Sequence, residues 1–166
     1  MSPPAIISRR AGLADLAVIC ELAQDLNRMH HQAWPTLFAA PTDPPVDEPH
    51  WRESIAGPGR AAFVVEAAGE MQGFVTVSVV DEAHSLLQRM RYGRVNSICI
   101  RAEAQGRGLG TRLMAVAEQW ARSEGAVDMR LVVWAFNDGA LRLYQELGYE
   151  LRSHAMGKPL AILDGR

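Results

Sequence analysis

Cysteine is scarce in this sequence, and so are excess positive charge and long apolar runs. The two cysteines among 166 residues, Cys20 and Cys99, each lie inside an apolar stretch, which favours buried free thiols over a disulfide framework or a zinc site. Lysine and arginine total 17 against 19 acidic residues, and the formal net charge is -2, so a broad cationic surface for nucleic acid is not expected. No apolar run approaches the ~18 residues of a membrane span. We therefore expect neither a nucleic-acid partner nor a membrane partner.

The remaining composition is typical of one globular domain. Hydrophobic residues make up 48% of the chain and charged residues 22%, which allows a sizeable core at this length. We predict a single domain over residues 1–166. The opening MSPPAIISRRAGLADL has prolines where a secretory signal would carry its basic region, so we expect a cytoplasmic protein. Five histidines without a metal-like cluster argue against a metal centre.

Hydrophobic periodicity predicts a mixed α/β sheet flanked by helices, in the order β-α-α-β-β-β-α-β-α-β. The predicted strands lie around 6–7, over 63–67 and 73–80 with a turn at 69–70 between them, over 95–100 (VNSICI), over 129–136 (MRLVVWAF) and in a final region at 149–160 (YELRSHAMGKPL). The predicted long helices lie over 15–30, 111–124 and 138–148. Glycines at 125 and 148 are expected to end the last two helices.

A proline-rich stretch separates the first helix from the first hairpin. Prolines 35, 41, 44, 45 and 49 forbid a continuous helix there, so we predict broken helical turns and a loop. The stretch also carries Trp34, Phe38 and Trp51. Large apolar rings indicate a lid that packs over something rather than a flexible linker.

The stretch QGRGLG, residues 105–110, lies between an apolar strand and a helix. Glycine tolerates positive φ and leaves room beside the backbone, and the unpaired N–H groups at a helix start favour an anion. A P-loop would need a lysine that is absent here, and a dinucleotide-binding fingerprint fails because its last glycine position is Thr111 or Leu113. The pattern that remains is Gln-x-x-Gly-x-Gly. It favours a phosphate-bearing ligand, although the glycines could also shape only a tight connection.

Gln105, Gly108 and Gly110 match the Gln/Arg-x-x-Gly-x-Gly/Ala signature of the GNAT superfamily of acyl-CoA-dependent N-acetyltransferases, which this chain resembles. The family's usual proline before this signature is replaced by Ala102. Farther along, the segment from Asn137 to Tyr149 is similar to the family's Asn-x-x-Ala-x-x-x-Tyr-x-x-x-Gly-Phe/Tyr segment. Two motifs in the right order make the resemblance more specific than either alone, and it is firm from about residue 95 to residue 149.

The resemblance implies a mostly antiparallel sheet whose fourth and fifth strands splay apart, with acetyl-CoA as co-substrate and no metal. The amide-rich arm of coenzyme A would pair with the open edge of the fourth strand through the backbones of Ile98 and Ile100. The alternative is that 95–100 is only a core strand, and the two interpretations are compatible. The cofactor-binding residues implied are Ile98, Cys99, Ile100, Gln105, Gly106, Arg107, Gly108, Leu109, Gly110, Thr111, Asn137 and Tyr144.

Asn137 and Tyr144 are seven residues apart, which places them two turns apart on the helix face that includes Ala140. The resemblance implies that Asn137 contacts the cofactor arm and that Tyr144 holds its hydroxyl near the thioester sulfur. Alternatively, Tyr144 is a core residue and Asn137 is only a helix cap.

The general base is the least determined part of the site. Relatives carry a glutamate on the fourth strand where this chain has Asn96 and Ser97, so the catalytic candidates are Tyr144, Asn96 (which would orient a water) and Glu66. His30, His31 and His84 are further candidates for the base. The stretch HHQAWPTLF resembles an acceptor-side pattern of some relatives, and we assign His31, Trp34, Phe38 and His84 to the substrate side.

These observations predict an N-acetyltransferase that moves acetyl from acetyl-CoA to a primary amine of a small molecule or of a peptide or protein, by direct attack in a ternary complex. A polycationic acceptor would be favoured if the acidic residues Asp43, Asp47, Glu48, Asp81 and Glu82 formed one mouth. The alternatives are a non-catalytic acyl-CoA-binding sensor, against which Tyr144 argues, and a structural interaction domain. Homodimers are frequent in the superfamily, and no residue here indicates an oligomeric state.

Overall fold

The computed structural model describes residues 5–160. In it, five strands form one sheet, and their order across the sheet is their order along the chain. The strands are β1 (Ile6–Arg10), β2 (Arg60–Ala67), β3 (Glu70–Asp81), β4 (Arg91–Ile100) and β5 (Asp128–Arg130). The first four pair antiparallel to their neighbours, and β5 runs parallel to β4. The predicted fold class, a mixed and mostly antiparallel sheet with flanking helices, is confirmed.

Helices cover both faces of the sheet. They are α1 (Leu16–Ala33), α2 (Glu48–Ala56), α3 (Leu109–Ser123) and α4 (Asp138–Glu146), with single 3₁₀ turns at Leu13–Asp15 and Ala102–Ala104. Because successive side chains of β3 point to opposite faces, Phe74 packs with α1 and α2 while Val75 and Val77 pack with α3 and Tyr144 of α4. Among residues 5–160, no helix combines the length and the apolar character needed to cross a bilayer.

The segments with clear local signals form as predicted, with shifted ends. The hairpin of β2 and β3 turns through Ala68 and Gly69, which both have positive φ, as a two-residue turn of this kind requires. Gly125 and Gly148, at φ of +88° and +91°, follow α3 and α4 and end them. The proline-rich stretch forms turns and a loop before α2, whose first turn contains Pro49.

Two strand predictions near the end of the chain are wrong. The strand expected over 129–136 is much shorter and forms only as β5, because the backbone beyond Arg130 has no partner strand. Val132, beyond its end, is 81% exposed. The final strand region at 149–160 forms no strand within the described residues, and residues 150–160 are exposed. A strand needs a neighbour to pair with, and three paired residues of β5 leave little edge for another.

Candidate active site

The fourth and fifth strands separate soon after they begin, as the resemblance implied. They pair only from Tyr92 with Asp128 to Arg94 with Arg130, so the edge of β4 that faces β5 is unpaired from residue 95 to residue 100. The gap opens into a cavity of about 510 Å³ bounded by β4, by residues 131–134, by α4 and by the α1–α2 region. We call it the β4–β5 cleft.

A β-bulge at Asn96 shapes one wall of the cleft. Thr76 of β3 is opposite Ser97, while the next residue of β3 is opposite Val95, so Asn96 is the extra residue of β4. Its Nδ2 donates to Ser78 Oγ at 3.1 Å, which leaves Oδ1 able to accept a hydrogen bond from a group in the cleft. The bulge also resets the alternation of side chains, so that Val95 and Ile98 pack in the same core.

Tyr144 lies in the opposite wall, on α4. Its side chain is buried, at 6% exposure, and it lines the cleft beside the small Ala140. Burial raises the pKa of the Tyr144 phenol, so the hydroxyl remains protonated at neutral pH. Asn137, the residue before α4, also lines the cleft, and its Oδ1 accepts from the Ala140 N–H at 3.1 Å. Asn137 is thus a helix cap whose Nδ2 is not used by that bond.

The glycine stretch forms the turn between the end of β4 and α3. Gly106 and Gly108 have φ of +73° and +76°, and a β-carbon on either would meet no atom within 4 Å, so the space beside the turn is open. The first hydrogen bond of α3 runs from the Arg112 N–H to the Gly108 carbonyl, and the amides of 106–111 donate to no backbone carbonyl of the described chain. Gln105 Nε2 donates to the Ile100 carbonyl at 3.3 Å and closes the turn.

Aromatic side chains also line the cleft. Phe38 lies 4.8 Å, between ring centroids, from both His30 and Trp134, and all three line the cleft. His30 Nδ1 lies 2.7 Å from the Leu26 carbonyl. A carbonyl accepts hydrogen bonds, so Nδ1 carries the proton in the neutral ring and Nε2 is the nitrogen able to accept one.

Glu66, a predicted catalytic residue, is not part of the cleft. It lies in β2, which β3 separates from β4, and it forms an ion pair with Arg9. Together with Asp15 it lines a separate acidic depression. The structure therefore does not bring Glu66 together with Tyr144.

Three of the four predicted substrate-side residues also lie outside the cleft. The His31 ring donates from Nδ1 to the Phe38 carbonyl at 2.8 Å, and Trp34 is 46% exposed in the turn after α1. His84 is exposed in the loop between β3 and β4, where its Nδ1 accepts from the Leu86 N–H. Phe38 is the member of this set that lines the cleft.

A polar stripe of α1 lines the cleft and was missed in the sequence. Gln24 and Asn27 are one turn apart and lie on the same side of the helix as His30. Asn27 Nδ2 donates to Asp47 Oδ2 at 3.0 Å, which connects α1 to the residue before α2. The signal available was helical spacing of polar residues beside the apolar stripe.

Both thiols are poor nucleophiles. Burial raises the pKa of Cys99 to about 11 and also raises the pKa of Cys20. Cys99 belongs to β4, but its Sγ lies 3.5 Å from the Leu22 carbonyl under α1, and neither cysteine lines the cleft. Little thiolate is therefore present at neutral pH.

Comparison with known sequences gives a family and several relatives. The Acetyltransferase (GNAT) family matches residues 24–149. The uncharacterized N-acetyltransferase YjgM of Escherichia coli (strain K12) is 26% identical over 160 residues, which cover 95% of this chain and 89% of YjgM. The uncharacterized N-acetyltransferase YobR of Bacillus subtilis (strain 168) is 35% identical over 74 residues, 45% of this chain and 26% of YobR. The match to MJ1207 of Methanocaldococcus jannaschii, at 30% identity, covers 57% of this chain and 41% of the relative, so the chain spans less than half of these last two proteins.

Solved structures share the fold along nearly the whole chain. A mutant of the BH1408 protein from Bacillus halodurans has a TM-score of 0.86 at 18% identity, over 93% of this chain and 99% of that one. The aminoglycoside N-acetyltransferase AAC(6')-Iy, solved in complex with CoA, has a TM-score of 0.72 at 18% identity, over 97% and 98%. At these identities the likeness shows the fold alone. The family match covers most of the length of the chain, and the chain therefore belongs to the GNAT family of acetyltransferases.

Proposed function

We propose that this protein transfers the acetyl group of acetyl-CoA to a primary amine by direct attack in a ternary complex. One observation carries the proposal: the unpaired edge of β4 connects, within one strand, the turn with free amides to the cleft in which the Tyr144 phenol lies. A diphosphate, an amide-rich arm and a thioester follow one another in the same order along coenzyme A.

The turn fits the diphosphate chemically. Its amides lack backbone acceptors, and the absence of β-carbons at Gly106 and Gly108 leaves space for close approach. Each hydrogen bond from such an amide to a charged oxygen contributes ~1.5–3 kcal/mol, and the start of α3 adds up to ~2 kcal/mol from its dipole. Arg107 and Thr111 are exposed at the same turn and would add side-chain contacts to phosphate. The main chain from Ile98 to Ile100 would pair with the pantetheine amides.

Tyr144 would act on the leaving sulfur. The amine nitrogen bonds to the acetyl carbon, the carbon–sulfur bond breaks, and negative charge develops on the sulfur. Burial keeps the Tyr144 hydroxyl protonated, so it donates a hydrogen bond to that charge without giving up its proton. Once the nitrogen is bonded to the acetyl carbon it carries one surplus proton, and the loss of that proton neutralises the thiolate. Ala140 leaves the room that this approach requires.

We assign to His30 the removal of the proton that the ammonium group must lose before it attacks, with Asn96 as its partner. A lysine-like amine is about three pH units from being neutral at pH 7, a handicap of about 4 kcal/mol, so the site must accept that proton. His30 faces the cleft, and its hydrogen bond to Leu26 leaves Nε2 as the accepting nitrogen. Asn96 Oδ1, on the opposite wall, would orient the amine or a bridging water. Glu66 is not included, because Arg9 holds it outside the cleft.

Direct attack is favoured over an acetyl-enzyme intermediate. Burial raises the pKa of both cysteine thiols, and neither thiol lines the cleft. Among the described residues, the side chains of the cleft therefore include no activated thiol for a covalent step.

The test is a release assay for free CoA with acetyl-CoA and a panel of primary amines, with mass spectrometry of the products. A transferase releases CoA in step with an acetylated amine. A sensor, the alternative function, binds acetyl-CoA in calorimetry and releases CoA with none of the amines. Failure to bind acetyl-CoA at millimolar concentration would contradict both.

A further inference from the structure

We propose that the acceptor side of the β4–β5 cleft selects a primary amine with one positive charge and an apolar, ring-sized body, and that Asp47 holds its ammonium group. Arylalkylamines are the chemical class that combines these features. This inference rests on the acetyl transfer proposed above and specifies its acceptor.

The charges near the cleft favour a single cation. Of the five acidic residues that were expected to form an acidic mouth, Asp47 alone lines the cleft, and no lysine or arginine among the described residues lines it. Three of the others are each held by an arginine: Glu48 by Arg52 at 2.7 Å, Asp81 by Arg91 at 3.5 Å and Glu82 by Arg130 at 2.7 Å. The second and third charges of a polyamine would thus find no carboxylate partner within the cleft.

Three residues that line the cleft carry buried polar atoms without a hydrogen-bond partner. Asp47 Oδ1 and Gln24 Oε1 are buried acceptors without a partner, and the indole Nε1 of Trp51, a residue only 3% exposed, is a buried donor without one. Buried polar atoms are nearly always paired in folded proteins, so these atoms indicate a missing ligand or water. The two acceptors are the atoms among these that an ammonium group, with its three N–H donors, could pair with, and the carboxylate is the charged one. A rotation of the Asp47 carboxylate that keeps its hydrogen bond from Asn27 would present Oδ1 to the cleft.

The rest of this side of the cleft is apolar and aromatic. The rings of Phe38 and Trp134 meet edge to face at 4.8 Å, and Trp134 is 38% exposed. Pro41 and Val46, from the loop before α2, complete the wall. Such a surface favours the ring of an arylalkylamine, since aromatic pairs gain from edge-to-face contact as well as from burial.

The experiment compares phenethylamine, ethylamine, spermidine and kanamycin as acceptors for the whole 166-residue chain with acetyl-CoA. We expect kcat/KM for phenethylamine to exceed that for spermidine or kanamycin by about 10-fold or more. Asp47→Asn should raise the KM for phenethylamine by about 10-fold or more, because the ammonium loses its charged partner. The matched control is Glu48→Gln, which removes the neighbouring carboxylate, outside the cleft and paired with Arg52, and should change KM less than about 2-fold. Trp134→Ala should reduce kcat/KM for phenethylamine more than for ethylamine.

A binding measurement separates this inference from the proposed function. Ligand-observed NMR of phenethylamine with the protein–CoA complex reports acceptor binding without turnover, and calorimetry with CoA checks that Asp47→Asn is folded. Phenethylamine binding that Asp47→Asn removes would support the inference even if no amine were acetylated, an outcome that would contradict the transferase. Turnover that is as good with spermidine or kanamycin, or equal effects of Asp47→Asn and Glu48→Gln, would overturn the inference and leave the transferase intact.

Discussion

The guanidinium carbon of Arg130 lies 3.8 Å from the centroid of the Tyr92 ring, at the point where β4 and β5 are still paired. Arg130 also donates to Glu82 at 2.7 Å and to Asp128 at 3.0 Å. Since only three residue pairs join the two strands, this cluster fixes the closed end of the β4–β5 cleft.

Arg130→Met is therefore expected to lower the free energy of unfolding. The loss of the contact with Tyr92 should account for about 1–2 kcal/mol of that decrease. Urea denaturation measures the change. The comparison is Arg152→Met, since Arg152 also binds Asp128, at 2.8 Å, but its side chain is 54% exposed, so a smaller loss is expected. Equal losses would contradict a special role for Arg130.

The effect of Arg130→Met should depend on pH. The hydrogen bond from Arg130 lowers the pKa of Glu82. For Asp128, burial acts to raise the pKa, but the hydrogen bonds from Arg152 and Arg130 outweigh it, and the net pKa is lowered. A carboxyl group whose pKa is lower in the folded state than in the unfolded state stabilises the fold at pH values above its unfolded pKa. That stabilisation is lost as the pH falls through the folded-state pKa. The difference in unfolding free energy between wild type and variant should be constant near neutral pH and shrink below about pH 4.

The fold was predictable where the signals are local. Turn glycines and the apolar periodicity of α3 were enough to locate the hairpin and the helix that follows the glycine stretch. The length of β5 was not predictable in this way, since residues 131–134 are as apolar as a buried strand but lie beyond the point where β4 diverges. Whether a strand finds a partner depends on the rest of the sheet and not on its own periodicity.

Gly108→Ala tests the turn after β4. At φ of +76°, alanine should cost about 1–2 kcal/mol of stability, and its methyl group enters the open space that the diphosphate would occupy. We expect the Kd for acetyl-CoA, measured by calorimetry, to rise by about 10-fold or more. Gly69→Ala is the matched control, because Gly69 has φ of +78° and equally open space but lies in the β2–β3 turn. It should lose similar stability and keep its Kd, and a parallel change in both Kd values would contradict phosphate binding at Gly108.

The candidate site was predictable only in part, for a related reason. Asn96 and Tyr144 both line the cleft; Tyr144 belongs to a motif with a recognisable spacing, whereas Asn96 was singled out only because relatives carry a glutamate on the same strand. Glu66 was misplaced because strand order, which puts β3 between β2 and β4, cannot be derived from the pattern of a single strand. Asp47 and Asn27 come together through the packing of α1 against the start of α2, a long-range contact that neither segment encodes alone.

Tyr144→Phe should lower kcat by about 10–100-fold and leave the Kd for acetyl-CoA almost unchanged. The hydroxyl is expected to interact with charge that develops only during the reaction, and its loss does not open a cavity. Tyr149→Phe is the matched control, since the Tyr149 hydroxyl donates to Glu118 at 2.8 Å and does not line the cleft. The kcat of Tyr149→Phe should stay within about 2-fold of the wild-type value. Burial raises the pKa of Tyr144, so wild-type kcat should not fall from ionisation of this phenol up to about pH 10.

His30→Gln should lower kcat/KM at pH 7 by about 100-fold, because the variant lacks the proposed acceptor of the ammonium proton. The deficit should shrink as the pH approaches about 10, since an increasing share of the amine is then neutral in solution and needs no base. A pH profile of kcat/KM for wild type and variant, with one amine, measures both effects. His31→Gln is the comparison, since the His31 ring is held by the Phe38 carbonyl and does not line the cleft. A deficit for His30→Gln that stays constant with pH would mean that the ring positions the acceptor, and an equal pH-dependent deficit for His31→Gln would transfer the role of base to its neighbour.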